Sequence, residues 1–321
     1  MLKTIIGKDI ELARELLEKG ELVAIPTETV YGLAANGLNT KAVAKIYEAK
    51  NRPQFNPLIL HVANLEQARN LVAEIPDACI RLMERFSPGP ITYLLPKSKL
   101  VPDLVTAGSS RVAIRIPDHK LTLSLLSQLD FPVAAPSANP SGYVSPVSAK
   151  HVLEGLEGKI GYILDGGECN VGLESTIVGF EDDTILIHRL GAITAAQIIE
   201  ATGKKVEISL SHAAPTAPGQ LKSHYATQKP LLLGDILDNY ALNKEKKIGL
   251  LLFKGNPGVE AMTEIILSPK GDLAEAASKL FSAMRKLDAS NIDMILAERF
   301  PENGIGMAIN DRLERAAHRG G

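Results

Sequence analysis

The chain has no tryptophan, and only seven tyrosines and seven phenylalanines in 321 residues. So few rings leave little for base stacking, which weighs against strong RNA binding as the main activity. An excess of charge of one sign is missing too. Lys and Arg number 35 against 37 Asp and Glu, a net charge of −2. That excludes a polybasic protein bound mainly through phosphate charge, while leaving room for a local basic cleft. The two cysteines, Cys79 and Cys169, are too few for a secreted disulfide scaffold and fit a reducing compartment. No stretch reaches the roughly 18 apolar residues of a membrane span. The opening MLKTIIGKDIELARELLEKG is charged throughout and lacks the apolar core of a signal peptide. The expectation is a soluble, cytoplasmic protein with no membrane contact.

Several chemistry-bearing motifs are also missing. There is no G-x-x-x-x-G-K-[ST], G-x-G-x-x-G, HExxH, CxxC or G-x-S-x-G. The seven histidines are scattered, which argues against a metal cage.

What is present is an α/β pattern long enough for two domains. Helical spacing of Leu12, Leu16 and Leu17, capped by Asp9 and stopped at Gly20, predicts a helix over 10–19. ELVAIP reads as a strand. A helix capped by Thr40 must end before Pro53. PLILHV, ITYLLP, RVAIRIP, FPVAAP, IGYILDGG, STIVGFE and TILIHRLG read as strands, with LTLSLLSQL a helix between two of them. Ser145-Pro146 predicts a helix start, and Thr194 caps a helix that stops at Gly203. SHAAPTAPGQLKSHYATQKP has no periodicity and reads as a linker. Beyond it, PLLLGDI, KKIGLLLF and IDMILAER alternate with two helices, a small α/β domain. The expected division is a larger α/β domain over 1–206, a linker over 207–230, and a C-terminal α/β domain over 231–321.

Five polar clusters interrupt the apolar strands. PTETVYGL follows the first strand and by itself suits a turn and helix cap. KNRPQFNPLILHV places Lys50 and Arg52 at a helix exit, with Asn56 and His61 behind them; the two cations could grip an anion or simply complement the helix dipole, and His61 alone suits a core histidine. In RVAIRIP, Val112, Ile114 and Ile116 face one way, and Arg111, Ala113 and Arg115 the other. Two arginines on that face fit an anionic ligand, or the solvated face of an edge strand. APSANPSGYVSP carries Ser137, Asn139 and Ser145. DGGECNVGLEST brings glycines beside Ser175; no base is placed near Cys169, which therefore reads as structural. Arg189 ends a strand in HRLG. Such loops converge at one edge of an open sheet, where ligands sit, and the guest that suits these cations is a polyanion such as a nucleotide.

Taken in series, PTETVYGL, KNR, NPLILHV, SPGPITYLL, VAIRIPDH, APSANPSGYVSP and DGGECNVGLEST closely resemble the YrdC/Sua family. HRLG and PGQLKSHYAT fit its long, two-domain form. The resemblance implies a twisted open mixed α/β sheet with a concave basic face, followed by a smaller Rossmann-like α/β domain. It implies an L-threonylcarbamoyladenylate synthase, a nucleotidyltransferase (EC 2.7.7.87) using L-threonine, bicarbonate and ATP with Mg²⁺. A separate tRNA-modifying complex would take the product onward, and a weak contact with tRNA itself could accompany that hand-over. Mapped motif by motif, Lys50 and Arg52 would be catalytic. Arg52, Asn56, Arg111, Ser137, Asn139, Ser145 and Arg189 would face ATP, with His224 and Tyr225 folding over it as a lid. Thr29, His61, Arg115, the backbone at Ala135, and Ser175 would face threonine. The linker departs from the family's usual PGMKYKHYAP at Gln220 and Thr227. The rival reading is an RNA-binding module without catalysis.

Overall fold

The computed structural model describes residues 2–210 and 224–318. The middle of the expected linker, 211–223, lies outside the described residues. Strands β1 (Ile5–Gly7), β2 (Val23–Ile25), β3 (Gly32–Asn36), β4 (Ile59–His61), β5 (Ile91–Pro96), β6 (Arg111–Arg115), β7 (Val133–Ala134), β8 (Tyr162–Leu164), β9 (Thr176–Glu181), β10 (Thr184–Arg189) and β11 (Lys205–Ile208) form one sheet. Among the described residues it has eleven strands, in the order β1-β8-β2-β3-β7-β4-β6-β5-β9-β10-β11. Parallel pairs such as β4–β6 and β5–β9 alternate with antiparallel ones such as β5–β6 and β4–β7. The open, mixed α/β sheet is the expected one.

The alternation read in RVAIRIP decides which face is which. Val112, Ile114 and Ile116 enter the main apolar core. On the other face, Ala113 joins only Ile59, Leu94 and Ile177 in a small cluster. That thinly covered face is where polar side chains can gather.

Three local expectations change. The helix Thr40–Lys50 is capped by Asn39, whose side chain accepts from the N–H groups of Lys41 and Ala42, so Thr40 is the first helical residue rather than the cap. The helix after APSANPSGYVSP is Ala149–Leu156, capped by Ser148, which accepts from His151 N. Ser145 is drawn away from capping by the Glu174 carboxylate. PTETVYGL is followed by no helix; it joins β2 to β3, which pair antiparallel.

The second domain carries β12 (Leu231–Leu233), β13 (Ile248–Leu252), β14 (Thr263–Ile266) and β15 (Met294–Ala297), all in parallel pairs and ordered β12-β15-β13-β14. Its helices Leu273–Ala289 and Ile305–Ala317 pack onto the first domain. Phe281 and Met284 belong to the same apolar core as Val144 and Val147. Arg285 donates to the carbonyls of Val144 (2.5 Å) and Ser145 (3.4 Å), and the Tyr143 hydroxyl donates to Asp288 (2.8 Å). Among the described residues, no helix is long and apolar enough to cross a membrane.

Candidate active site

The loop between β2 and β3 is locked by Thr27. Its hydroxyl donates to the Val30 carbonyl (2.6 Å) and accepts from the N–H groups of Thr29 and Val30, each at 3.2 Å. Such hydroxyl–backbone turns fix a loop without a helix. The turn presents the Thr29 hydroxyl, which accepts from Arg115 Nη2 at 2.9 Å. Glu28 makes the other contact with Arg115, Oε1 to Nη2 at 2.7 Å, and its Oε2 accepts from Asp118 N at 3.1 Å. Arg115, at the end of β6, is therefore held from two directions.

The helix Thr40–Lys50 ends with Asn51 in the left-handed region at φ 51°, and Pro53 bars a further turn. This reversal separates the two cations. Lys50 turns inward and is 1% exposed. Its Nζ donates to the carbonyls of Ser137 (2.5 Å) and Asn139. It clamps the serine loop from behind and does not line the cavity. Arg52 faces the cavity, steadied through Nε on the Asn56 carbonyl (3.2 Å) and Nη2 on the Pro57 carbonyl (2.9 Å).

In the serine loop, Ser137 reaches the cavity wall beside Ala135. The Ala135 N–H is spent on the Ile59 carbonyl at 3.0 Å. The Asn139 amide holds the loop itself, donating to the Pro140 and Tyr143 carbonyls at 2.9 and 2.8 Å. Ser145 donates to Glu174 Oε1 at 2.6 Å. Next to Glu174, Ser175 shares a hydrogen bond with Thr92 (2.7 Å) and accepts from Arg189 Nη2 (2.9 Å), while Arg189 Nε donates to the Ser175 carbonyl (3.0 Å). Gly191 makes that approach feasible. A Cβ there would stand 2.4 Å from Thr176 N and 2.6 Å from the Glu174 carbonyl.

These loops enclose about 50 Å³, walled by Arg52, His61, Arg115, Ala135, Ser137 and Arg189, with Val30, Leu58, Glu174, His224 and Tyr225. Three guanidiniums thus share one small cavity. Burial pulls Arg52 down to about 10, and Arg189 adds to it; burial does the same to Arg189. Lys50 is held well below its ordinary value, first by burial and then by Arg52. His61 and His224 are pushed down to about 3, chiefly by burial, so both are neutral. Burial pushes Glu174 up, but Arg312, Arg189 and the Ser145 hydroxyl outweigh it and hold the carboxyl at about 2. Cationic groups packed this way favour an anion between them. Two lining residues carry buried polar atoms without a hydrogen-bond partner, Arg115 Nε and His224 Nδ1, as do Asn56 (both amide atoms) and Asn139 (Oδ1) outside the lining. Orphans of this kind cost free energy unless a ligand or water meets them.

The structure thus brings Arg52, His61, Arg115, Ala135, Ser137, Arg189, His224 and Tyr225 around one cavity. Lys50, Asn139, Thr29 and Ser175 touch wall residues from behind, Asn56 holds Arg52 through its backbone carbonyl, and Ser145 is engaged by Glu174. Arg111 stands apart. It lies four residues from Arg115, about 13 Å along a strand, and its half-exposed side chain pairs with Glu181 at 3.4 Å. Burial pushes the Cys169 thiol up to about 12, so it is no thiolate nucleophile. Glu28 and Glu174 carry positioning contacts that the sequence reading did not assign, although both sit inside the quoted motifs. A further one, Arg312, comes from the other domain and was signalled only as an arginine on the apolar stripe of the last helix.

Known proteins resemble this chain in sequence and in fold. The family model described as "Telomere recombination" (Sua5, YciO, YrdC) matches residues 15–191, and the model for the C-terminal domain of threonylcarbamoyl-AMP synthase matches 193–318. The chain is 41% identical to the threonylcarbamoyl-AMP synthase of Bacillus subtilis, over 96% of this chain and 92% of that protein. It is 40% identical to the one from Pyrococcus abyssi, over 96% and 94%. The crystal structure of P. abyssi Sua5 complexed with L-threonine superposes with a TM-score of 0.90 at 38% identity, covering 99% of this chain and 97% of that one.

Proposed function

The chain belongs to the Sua5/YciO/YrdC family, in the two-domain form of the threonylcarbamoyl-AMP synthases, and from that premise we infer a nucleotidyl transfer that joins L-threonine, bicarbonate and ATP. The observation that carries this reading is the convergence of Arg52, Arg115 and Arg189 on one buried cavity next to neutral His61. Two anionic partners, a triphosphate and an amino-acid carboxylate, suit that set. Arg115, steadied by Glu28 and Thr29, is oriented for the carboxylate of threonine. Arg52, Arg189 and Ser137 face the nucleotide, with Lys50 keeping the serine loop in place.

The threonine nitrogen bonds to the carbon of bicarbonate and water leaves, giving a carbamate. A carbamate oxygen then attacks the α-phosphorus. The bond from that phosphorus to the bridging oxygen breaks, and pyrophosphate departs. Charge builds on the leaving oxygens, and buried guanidiniums stabilise it without rearrangement. Mg²⁺ would be held by the triphosphate oxygens and would offset part of their charge. The donor set of the cavity is cationic, and its carboxylate, Glu174, is already engaged. His224 and Tyr225 act as a lid that keeps water from the carbamate and the mixed anhydride. The product is handed to a tRNA-modifying transferase in the cytoplasm.

The test is pyrophosphate release from ATP, with threonine and bicarbonate each omitted in turn. Release that requires both supports the synthase. Release indifferent to threonine breaks the assignment of Arg115 and Thr29. No release, with tRNA still bound, favours an RNA-binding module.

A further inference from the structure

The helix Ile305–Ala317 belongs to the C-terminal domain, yet its most buried long side chain serves the other one. Arg312 is fully buried. Its Nε donates to Glu174 Oε2 at 3.0 Å, its Nη2 to the Leu190 carbonyl at 2.7 Å, and its Nη1 to Asp311 Oδ2 at 2.7 Å. The first two partners belong to the cavity wall or adjoin it. The guanidinium carbon also lies 5.3 Å from the centre of the Tyr225 ring, within cation–π range.

One face of Tyr225 borders Arg52, Glu174 and Arg189 in the cavity; its packing behind comes from the C-terminal domain. The ring stacks on Phe281 of the helix Leu273–Ala289, at 5.4 Å and 21°. The His224 N–H reaches the Arg315 carbonyl at 3.4 Å, and Arg315 shares Asp311 with Arg312. The next residue hydrogen-bonds the first domain, Ala226 N–H on the Gly142 carbonyl at 2.8 Å. Tyr225 also sits at φ 64°, a left-handed conformation that residues other than glycine rarely adopt. Surrounding contacts must hold it there. The cavity beneath, about 50 Å³, falls well short of the roughly 300 Å³ at which ligand pockets begin. A nucleotide therefore enters only when Tyr225 and His224 swing off, which parts the ring from Arg312 but need not disturb the bonds of Arg312 to Glu174 and Leu190.

We propose that Arg312 is the positioning residue through which the C-terminal domain sets closure of the His224–Tyr225 segment over the cavity. One guanidinium touches both the wall and the lid, so the closed lid is registered against the wall by a group neither of them owns. The catalytic consequence rests on the synthase reading; the latch itself does not.

Hydrogen exchange at the Ala226 amide in the full-length free protein tests it without any substrate. Arg312→Gln should raise that exchange at least tenfold, while the β13 amides, such as Leu250 and Leu251, keep wild-type protection. Tyr225→Leu should do the same. Unchanged Ala226 exchange in a folded Arg312→Gln protein overturns the proposal, as does a rise spread equally over β13. Should Arg312→Gln fail to fold because Glu174 is left charged and alone, Arg312→Gln with Glu174→Gln removes both charges, and the same two readouts apply. Turnover supplies the second test. Arg312→Gln and Tyr225→Leu should each lower kcat/KM for ATP about tenfold, and the double variant should fall no more than about twofold below the worse single one, as expected for residues acting as a unit. A multiplied, roughly hundredfold loss would mean that Arg312 does not act through Tyr225. If the wild type releases no pyrophosphate while the exchange results hold, the latch stands and the synthase reading falls.

Discussion

Replacing Arg52 by Met separates a charge kept for a ligand from one kept for the fold. Arg52 lines the cavity at 8% exposure, pinned by the carbonyls of Asn56 and Pro57. Burial and neighbouring Arg189 depress its pKa to about 10, so the folded protein without ligand gains little from the charge. Met fills similar space and lifts both penalties, while the Asn56 carbonyl keeps the Tyr47 hydroxyl at 3.4 Å and Pro57 lines the cavity, where its carbonyl can hydrate. Thermal stability should therefore stay near the wild-type value. Against a bound triphosphate the balance reverses. A hydrogen bond to a charged group contributes about 1.5–3 kcal/mol. At 1.36 kcal/mol per decade that is about a 13- to 160-fold loss in kcat/KM for ATP. Pyrophosphate release at saturating threonine and bicarbonate, read beside a melting curve of the same preparation, measures both. Arg52→Lys should recover only part of the loss, because an ammonium cannot bridge two carbonyls and still present a fork to the cavity. Wild-type kcat/KM for ATP in folded Arg52→Met would refute the reasoning. So would a loss that comes only with a fall in Tm of about 10 °C, which would assign Arg52 to the fold.

Gly191→Ala forces a Cβ within 2.4–2.8 Å of the backbone at Glu174, Ser175 and Thr176, so threonine-dependent turnover should fall more than tenfold and Tm should drop; normal kinetics would show that this backbone gives way freely. His61 has a folded pKa of about 3 against 6.5 unfolded, so the unfolded chain binds the extra proton between those values. Its contribution is whole above pH 6.5 and is lost as pH falls toward 3, about 2 kcal/mol between pH 7 and 5. Urea unfolding at those two pH values should show a smaller difference for His61→Gln than for the wild type, and an unchanged difference would mean that His61 is not held neutral. Cys169→Ala should keep turnover within about twofold of wild type, since its thiol is buried and pushed up to about 12; a large loss would reopen thiol chemistry.

The parts legible in the sequence are those where one local period or one composition signal decides. RVAIRIP shows its arginine face because strand side chains alternate, and the polar loops stand out because they break apolar runs. What stayed hidden depends on partners far along the chain. Ser145-Pro146 is the stronger helix-start signal, yet Glu174, 29 residues on, takes the Ser145 hydroxyl and leaves capping to Ser148. Asn39 and Thr40 are adjacent capping types, and only the backbone geometry selects Asn39. β3, spelled GLAAN, has no β-branched residue and forms because β2 and β7 flank it. Lys50 and Arg52 look like one pair by spacing, but the left-handed Asn51 turns them to different tasks. Lys50 finds its carbonyls 87 and 89 residues away. Arg312 is the extreme case, meeting Glu174 across 138 residues and a domain boundary. A motif shows which polar groups a site owns, whereas long-range contacts decide which of them face the cavity. Here Arg52, Arg115 and Arg189 face the cavity because Lys50, Glu28, Ser145 and Arg312 are occupied in holding its walls.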